Sequence, residues 1–311
     1  MRDRILILGG AGYLGSVLTE ELIKKQTYQV TVVDTFQHGV PSLAHLTHNP
    51  SLTIVRGDIF KVGVLDYIKN ANFILPLAAY VGEPMCQSLN NIEVQRNNQH
   101  AVELVVSFAS PEQTIIFPCT NSGYGIGGEE ECTEESPLNP LSLYGITKVA
   151  AERAVLSHPR GISLRLATLF GMSPRMRLDL LVNDFVYRAV KDRGLILYEP
   201  GFRRNFIHVR DAARAFVHAI KGGMSPGVYN VGDWNTNMTK ADLCRHISDH
   251  VPGFTWSIST SGTDPDKRDY LVSNDKLRRT GFELAYSIHF GIEELRRGFN
   301  MPFMGQGYRN A

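Results

Sequence analysis

Short apolar runs alternate along the first half of the chain with segments whose apolar positions recur every three and four residues. Ile5-Leu6-Ile7-Leu8 is unbroken, the pattern of a strand buried on both faces. Val17, Leu18, Leu22 and Ile23 follow at helical spacing, and Val30 to Val33 forms a second strand ending on Asp34. Leu52-Thr53-Ile54-Val55 reads as extended, Val62 to Ile68 as a short helix and Phe73-Ile74-Leu75 as extended. Ile92 to Phe108 then reads as a long helix, Thr114 to Phe117 as extended, Tyr144 to Leu156 as a helix and Ile162 to Leu166 as a sixth strand. This alternation predicts an α/β fold, a doubly wound parallel sheet with helices on both faces. In such a sheet ligands gather beyond the carboxyl ends of the strands, where Asp34, Asp58, Leu77-Ala78-Ala79 and Thr120 stand.

The rhythm loosens after Leu166. Asp179 to Ala189 is helical, Leu195 to Tyr198 extended, and Gly201-Phe202-Arg203-Arg204-Asn205 a basic turn. Val209 to Ile220 reads as a helix and Val228 to Val231 as a strand, both returning to the first domain. Thr239 caps a helix running to about His250, residues 253–275 are loop and short strand, and Ser287 to Phe299 is a terminal helix. No repeat or clean linker interrupts the chain. The expected division is therefore interwoven: residues 1–168 plus about 206–230 as a nucleotide-binding domain, and about 169–205 plus 231–311 as a smaller α+β lobe.

The 311 residues suffice for a full core, and 43% hydrophobic with 20% charged content is ordinary for a globular protein. A net charge of +1 supplies no field to draw the chain to nucleic acid or to an acidic membrane. No apolar run resembles a signal peptide or approaches a membrane span, so a cytoplasmic protein is expected. Cys86, Cys119, Cys132 and Cys244 are scattered without a C-x-x-C pair or a histidine cluster, which favours reduced thiols and no metal.

The opening, Arg4 to Asp34, carries the first chemistry. Gly9, Gly10, Gly12 and Gly15 follow the first strand and lead into a helix. Such a turn brings backbone close to a pyrophosphate and offers it free N–H groups at the positive end of the helix dipole. Asp34 lies about 20 residues further on, where an acid can accept from an adenosine ribose hydroxyl. The spacing is Gly9-x-x-Gly12-x-x-Gly15. Strand, glycines, helix, strand and acid in that order define a dinucleotide site of the Rossmann type. Asp34 would repel a 2′-phosphate, and Thr35-Phe36-Gln37 offer no arginine to receive one, so NAD is expected over NADP.

Tyr144 and Lys148 stand four apart on one helical face. An ammonium there is expected to lower the phenol's pKa, letting Tyr144 remove a hydroxyl proton while the carbon gives hydride to nicotinamide. Lys148 is also placed to hold the nicotinamide ribose. Thr120, at a strand end, is the expected hydroxyl that orients the substrate oxygen, with Ser122 the second choice.

These features resemble an extended short-chain dehydrogenase/reductase of the nucleotide-sugar epimerase/dehydratase family over nearly the whole chain. The matching motifs are Gly9-x-x-Gly12-x-x-Gly15, Asp34, Gly57-Asp58-Ile59, Leu77-Ala78-Ala79, Asn97, Thr120 to Gly125, Tyr144-x-x-x-Lys148 and Arg204 to Asp211. The resemblance implies a dinucleotide held by Gly9, Gly12, Tyr13, Leu14, Gly15, Asp34, Asp58, Ile59, Leu77, Ala78, Ala79, Asn97, Tyr144 and Lys148. Asp58 would meet the adenine, and Asn97 would be a structural helix residue. It also implies a nucleotide-diphosphate sugar beneath the second lobe, with Arg204 and Arg268 on its diphosphate. A guanidinium fork suits phosphate independently, but Arg268 lies in Asp264-Pro265-Asp266-Lys267-Arg268-Asp269, so a local ion pair is a rival reading.

Departures from the family pattern narrow the reaction. Its 4,6-dehydratases carry an acid pair directly after the hydroxyl residue, where this chain has Asn121 and Ser122, neither an acid near neutrality. Thr168 replaces an asparagine near the sugar, leaving Asn121 and Thr168 as altered substrate contacts. Glu83, after the fourth strand, is either a second acid or base or a carboxylate capping a turn. The leading expectation is oxidation of a ring hydroxyl, at C4, followed by return of hydride to the other face: 4-epimerisation. A net 4-dehydrogenase needs the same groups, and a non-catalytic dinucleotide sensor would not need Tyr144, Lys148 and Thr120 together. Family members commonly dimerise through two helices of each subunit, so Ile92 to Phe108 and Ala150 to Leu156 are expected at a homodimer interface.

Overall fold

A computed structural model of the chain describes residues 2–24, 26–262 and 268–301. Seven parallel strands form the central sheet in the order Gly227–Val231, Gly161–Leu166, Thr114–Thr120, Phe73–Pro76, Asp3–Leu8, Tyr28–Asp34 and Leu52–Arg56. Order reverses beside the first strand, which pairs with Tyr28–Asp34 on one edge and Phe73–Pro76 on the other. That reversal is where doubly wound sheets bind ligands. Alternation along Ile5-Leu6-Ile7-Leu8 sends Ile5 and Ile7 into one core and Leu6 and Leu8 into another across the sheet. The larger core continues without a break to Ile292, Leu295 and Phe299 in the last helix. This is a Rossmann-like α/β fold.

Several elements differ from the sequence reading. The third central strand runs past Phe117 to Thr120 despite Pro118. Its ladder with Phe73–Pro76 ends at Ile115, so no partner on that edge asks Pro118 for an N–H. The helix expected over Ile92 to Phe108 is built of Asn91–Gln95, a π-helical stretch Arg96–His100, and Ala101–Phe108. Asn90 caps its start by accepting from Ile92 N. Glu83 opens a helix, Glu83–Ser88, in place of a turn. The helix expected from Asp179 begins at Leu181, because Asp179 is engaged by Arg177 and Leu180 is extended. Ile126–Cys132 is a strand paired in parallel with Asp269–Val272. Thr239 does cap Lys240–His250, in a reciprocal box with Asp242.

The motif ending in Asp211 proves largely structural. His208 is buried, caps helix Val209–Ile220 through Nδ1 and meets Glu294 at 3.0 Å through Nε2. Asp211 accepts from the backbone N–H groups of Ala285 and Tyr286, pinning the C-terminal segment to that helix. All four cysteines are buried and unpaired. Among the described residues, no helix is long and apolar enough to cross a membrane.

Candidate active site

The glycine turn is built by close packing. Gly9 has φ +88°, and a Cβ there would lie 2.6 Å from the Ala78 nitrogen. One at Gly15 would lie 2.4 Å from the Gly9 carbonyl, so the helix can seat against the strand end only without it. Gly12 differs: a Cβ there meets nothing nearer than the Gly9 oxygen at 3.3 Å, and the residue lines a cavity instead. Asp34 accepts from Ala11 N at 2.9 Å and Phe36 N at 2.8 Å, locking the turn to the second strand. Leu77 and Ala78 both donate their N–H groups to Leu8 O, which brings Leu77-Ala78-Ala79 alongside.

All of these border one cavity of about 850 Å³, together with Leu14, Asp58, Ile59, Asn97, Thr120, Ser122, Tyr144 and Lys148. An open glycine at a helix start, an acid at the second strand end and the Tyr–Lys pair in one continuous space fit a dinucleotide. Tyr13 borders it too, but its buried hydroxyl donates to Gly171 O at 2.6 Å, so its side chain ties the glycine helix to the loop after Phe170. Asn97 borders the cavity, and its buried neighbour Asn98 accepts from Tyr80 N and donates to Tyr80 O, holding the loop after the fourth strand.

Helix Leu143–Leu156, capped by the Ser142 hydroxyl, carries Tyr144 and Lys148 into the cavity. The expected lowering of the tyrosine is not what this arrangement produces. Desolvation pushes Tyr144 up to about 12, and Arg177 is the charge that opposes it most, followed by Arg268. Lys148, 3% exposed, is itself brought down to about 8 by burial, with Nζ 3.9 Å from the Phe117 ring centroid. Both groups lie where loss of water outweighs the influence of neighbouring charges.

Thr120 caps the 3₁₀ turn Asn121–Tyr124 by accepting from Ser122 N, and its hydroxyl donates to Ser122 Oγ at 3.0 Å. Ser122 Oγ also accepts from Arg268 Nη1. The turn points Thr120 and Ser122 into the cavity and Asn121 away from it. Asn121 is 1% exposed, borders no part of the cavity, and neither amide atom has a partner among the described residues. Its expected role as a substrate contact is corrected accordingly.

From later in the chain, Thr168, Arg204 and Arg268 line the same space. Arg204 is buried, donates to Arg203 O and lies 5.8 Å from the Tyr270 ring. Asp269, in the same acidic stretch as Arg268, engages Arg203 at 3.0 Å. Asp264 and Asp266 lie outside the described residues. Glu83 also borders the cavity, in the first turn of its helix, where a carboxylate complements the dipole, and accepts from Gln87. Sequence reasoning missed Arg175 and Arg177, which reach the cavity from the loop after Phe170. Their signal was two arginines close together in an otherwise apolar stretch.

Fold and site together define a dinucleotide-binding protein in which one cavity is bordered by Tyr144, Lys148 and several arginines. The chain belongs to the NAD dependent epimerase/dehydratase family, whose model it matches over residues 5–232, and its cofactor is NAD. It is 26% identical to an uncharacterized UDP-glucose epimerase of Bacillus subtilis, covering 82% of this chain and 89% of that one. It is 25% identical to UDP-glucuronic acid decarboxylase 1 of Arabidopsis thaliana (98% and 72%) and 27% identical to dTDP-glucose 4,6-dehydratase of Streptomyces niveus (91% and 88%). Among solved structures, the UDP-N-acetylglucosamine 4-epimerase of Methanobrevibacter ruminantium superposes with a TM-score of 0.84 at 21% identity, over 96% and 99% of the two chains. The UDP-glucuronic acid 4-epimerase of Bacillus cereus gives 0.83 at 21%, over 95% and 98%. At such identities these structures share the fold.

Proposed function

We propose that the protein oxidises a ring hydroxyl of a nucleotide-diphosphate sugar, at C4, and returns the hydride to the opposite face, acting as a 4-epimerase. The observation that carries this reading is the convergence of Tyr144, the Thr120–Ser122 pair, Arg204 and Arg268 on the cavity that also holds the glycine turn. Bound NAD supplies the hydride acceptor. Thr120 and Ser122 orient the substrate oxygen, and Tyr144 takes its proton and later gives it back. Arg204 and Arg268 face the diphosphate, for which their planar forks are suited. Relatives named as acting on UDP-glucose, UDP-glucuronic acid and dTDP-glucose support the nucleotide-sugar class, and their reactions differ. Dehydration at C4 and C6 is disfavoured because positions 121 and 122 offer no carboxyl group.

A homodimer and a reducing, cytoplasmic setting belong to the same proposal. Ile92 and Phe108 on one helical segment, and Leu156 in the Ala150 to Leu156 stretch, stand exposed where a partner is expected, and Ile146 is exposed earlier on the same helix as Leu156. The test is incubation of the purified protein with a panel of UDP-, GDP- and dTDP-sugars, following NADH absorbance and sugar configuration together. Inverted C4 with no accumulating NADH is the expected result. NADH accumulating with a released ketone would instead mark a net dehydrogenase. Full turnover by Tyr144→Phe would end both versions.

A further inference from the structure

Arg175 is 2% exposed and lines the same cavity as Gly12, Tyr13 and Leu14. Its Nη1 donates to Met176 O at 3.2 Å, while Nε and Nη2 have no partner among the described residues. A buried guanidinium edge with nothing to bond is costly unless a ligand completes it. The nearby carboxylates are committed elsewhere: Asp34 to Ala11 and Phe36, Asp179 to Arg177.

The loop that carries Arg175 is stapled to the first turn of the glycine helix. Ser173 Oγ donates to Tyr13 O at 2.7 Å and meets Ser16 Oγ at 3.1 Å. Tyr13 Oη donates to Gly171 O at 2.6 Å, and Asn183 Nδ2 bridges the Tyr13 hydroxyl and Arg177 O. These contacts seat the loop on the helix end where an anion is favoured by free N–H groups and the dipole.

We propose that the free Nε–Nη2 edge of Arg175 holds the bridging diphosphate of the dinucleotide, opposite the amides of the glycine turn. The cofactor is then gripped from both lobes, and the stapled loop sets where the guanidinium waits. Arg175 is a cofactor-binding residue contributed by the second half of the chain. The inference rests on the dinucleotide lying along Gly12–Leu14, and not on which sugar is turned over.

Titration of the full chain, stripped of co-purified dinucleotide, with NADH, ADP and adenosine tests it. Arg175→Met should weaken NADH and ADP at least tenfold and leave adenosine unchanged, with Arg175→Lys falling between. The melting midpoint without ligand should stay level or rise in Arg175→Met, since an unpaired buried charge is removed. Unchanged ADP binding would overturn the proposal, as would an equal loss for adenosine accompanied by a lower midpoint, the mark of a structural arginine. Weakened UDP binding to the NAD-loaded protein, with NADH unaffected, would move Arg175 to the other nucleotide and overturn it too. Failure of the unmutated chain to bind ADP at all would remove the site itself, a separate result from loss of Arg175's role.

Discussion

Arg268 donates from Nη1 to the Ser122 hydroxyl, joining residues 146 apart in the chain. A cation from the C-terminal part of the chain thereby touches the hydroxyl pair at the end of the Thr114–Thr120 strand. Removing it should cost a charge-assisted interaction with the substrate's diphosphate, worth about 1.5–3 kcal/mol. Arg268→Met is expected to raise KM for the nucleotide sugar roughly 10- to 100-fold while NADH affinity holds. Steady-state kinetics beside a cofactor titration would show it, and an unaltered KM would take Arg268 out of the substrate site.

Lys148 links the site to stability. Its pKa falls from 10.5 to about 8 on folding, so the unfolded chain binds the proton more tightly. Folding is therefore penalised below about pH 8 and relieved as pH rises towards 10, where Tyr144, raised to about 12, begins to act in the opposite direction. Ligand-free protein should gain stability between about pH 8 and 10, and Lys148→Met should flatten that rise. Urea unfolding at unit pH steps measures it.

Glu152 and Arg165 form a buried ion pair at 2.8 Å, on the active-site helix and the neighbouring strand. Ser163 donates to the same carboxylate, and Arg165 also reaches the Tyr124 hydroxyl. Glu152→Gln leaves a buried guanidinium without its counter-charge and should cost about 3–5 kcal/mol. Chemical denaturation would register this, and Glu152→Gln with Arg165→Met should recover part of the loss.

Asp34 ends the second strand and borders the cavity. Asp34→Ser should narrow the preference for NAD by about tenfold or more, because the acid no longer repels a 2′-phosphate. Paired NADH and NADPH fluorescence titrations give the ratio directly.

The exposed pair Ile92 and Ile146 supplies the fifth expectation. Ile92→Glu with Ile146→Glu should yield a folded monomer, because charges at the centre of an apolar contact are not tolerated. Light scattering on the unmutated chain should give twice the chain mass, and a monomer there would remove the dimer.

Much of the cofactor side was legible because its parts lie close along the chain. Apolar runs, the glycines and Asp34 fall within the first 34 residues, and local spacing alone places them. Strand Ile126–Cys132 was invisible: Gly127-Gly128 and three consecutive glutamates carry no alternating apolar pattern, and its partner lies some 140 residues away. The π-helical stretch at Arg96–His100 carries no apolar period of its own, and the clamping role falls to Asn98.

Periodicity and turn chemistry, acting between neighbours, were enough to determine the strand–glycine–helix start, the parallel sheet and the helix bearing Tyr144 and Lys148. Long-range packing decided the rest. It paired Asp269 with Arg203, turned Asn121 into the protein, raised Tyr144 by burial, and delivered Arg175 and Arg177 to the cavity. Each of those outcomes depends on which distant segments exclude water from a side chain, and that is a property of the assembled fold.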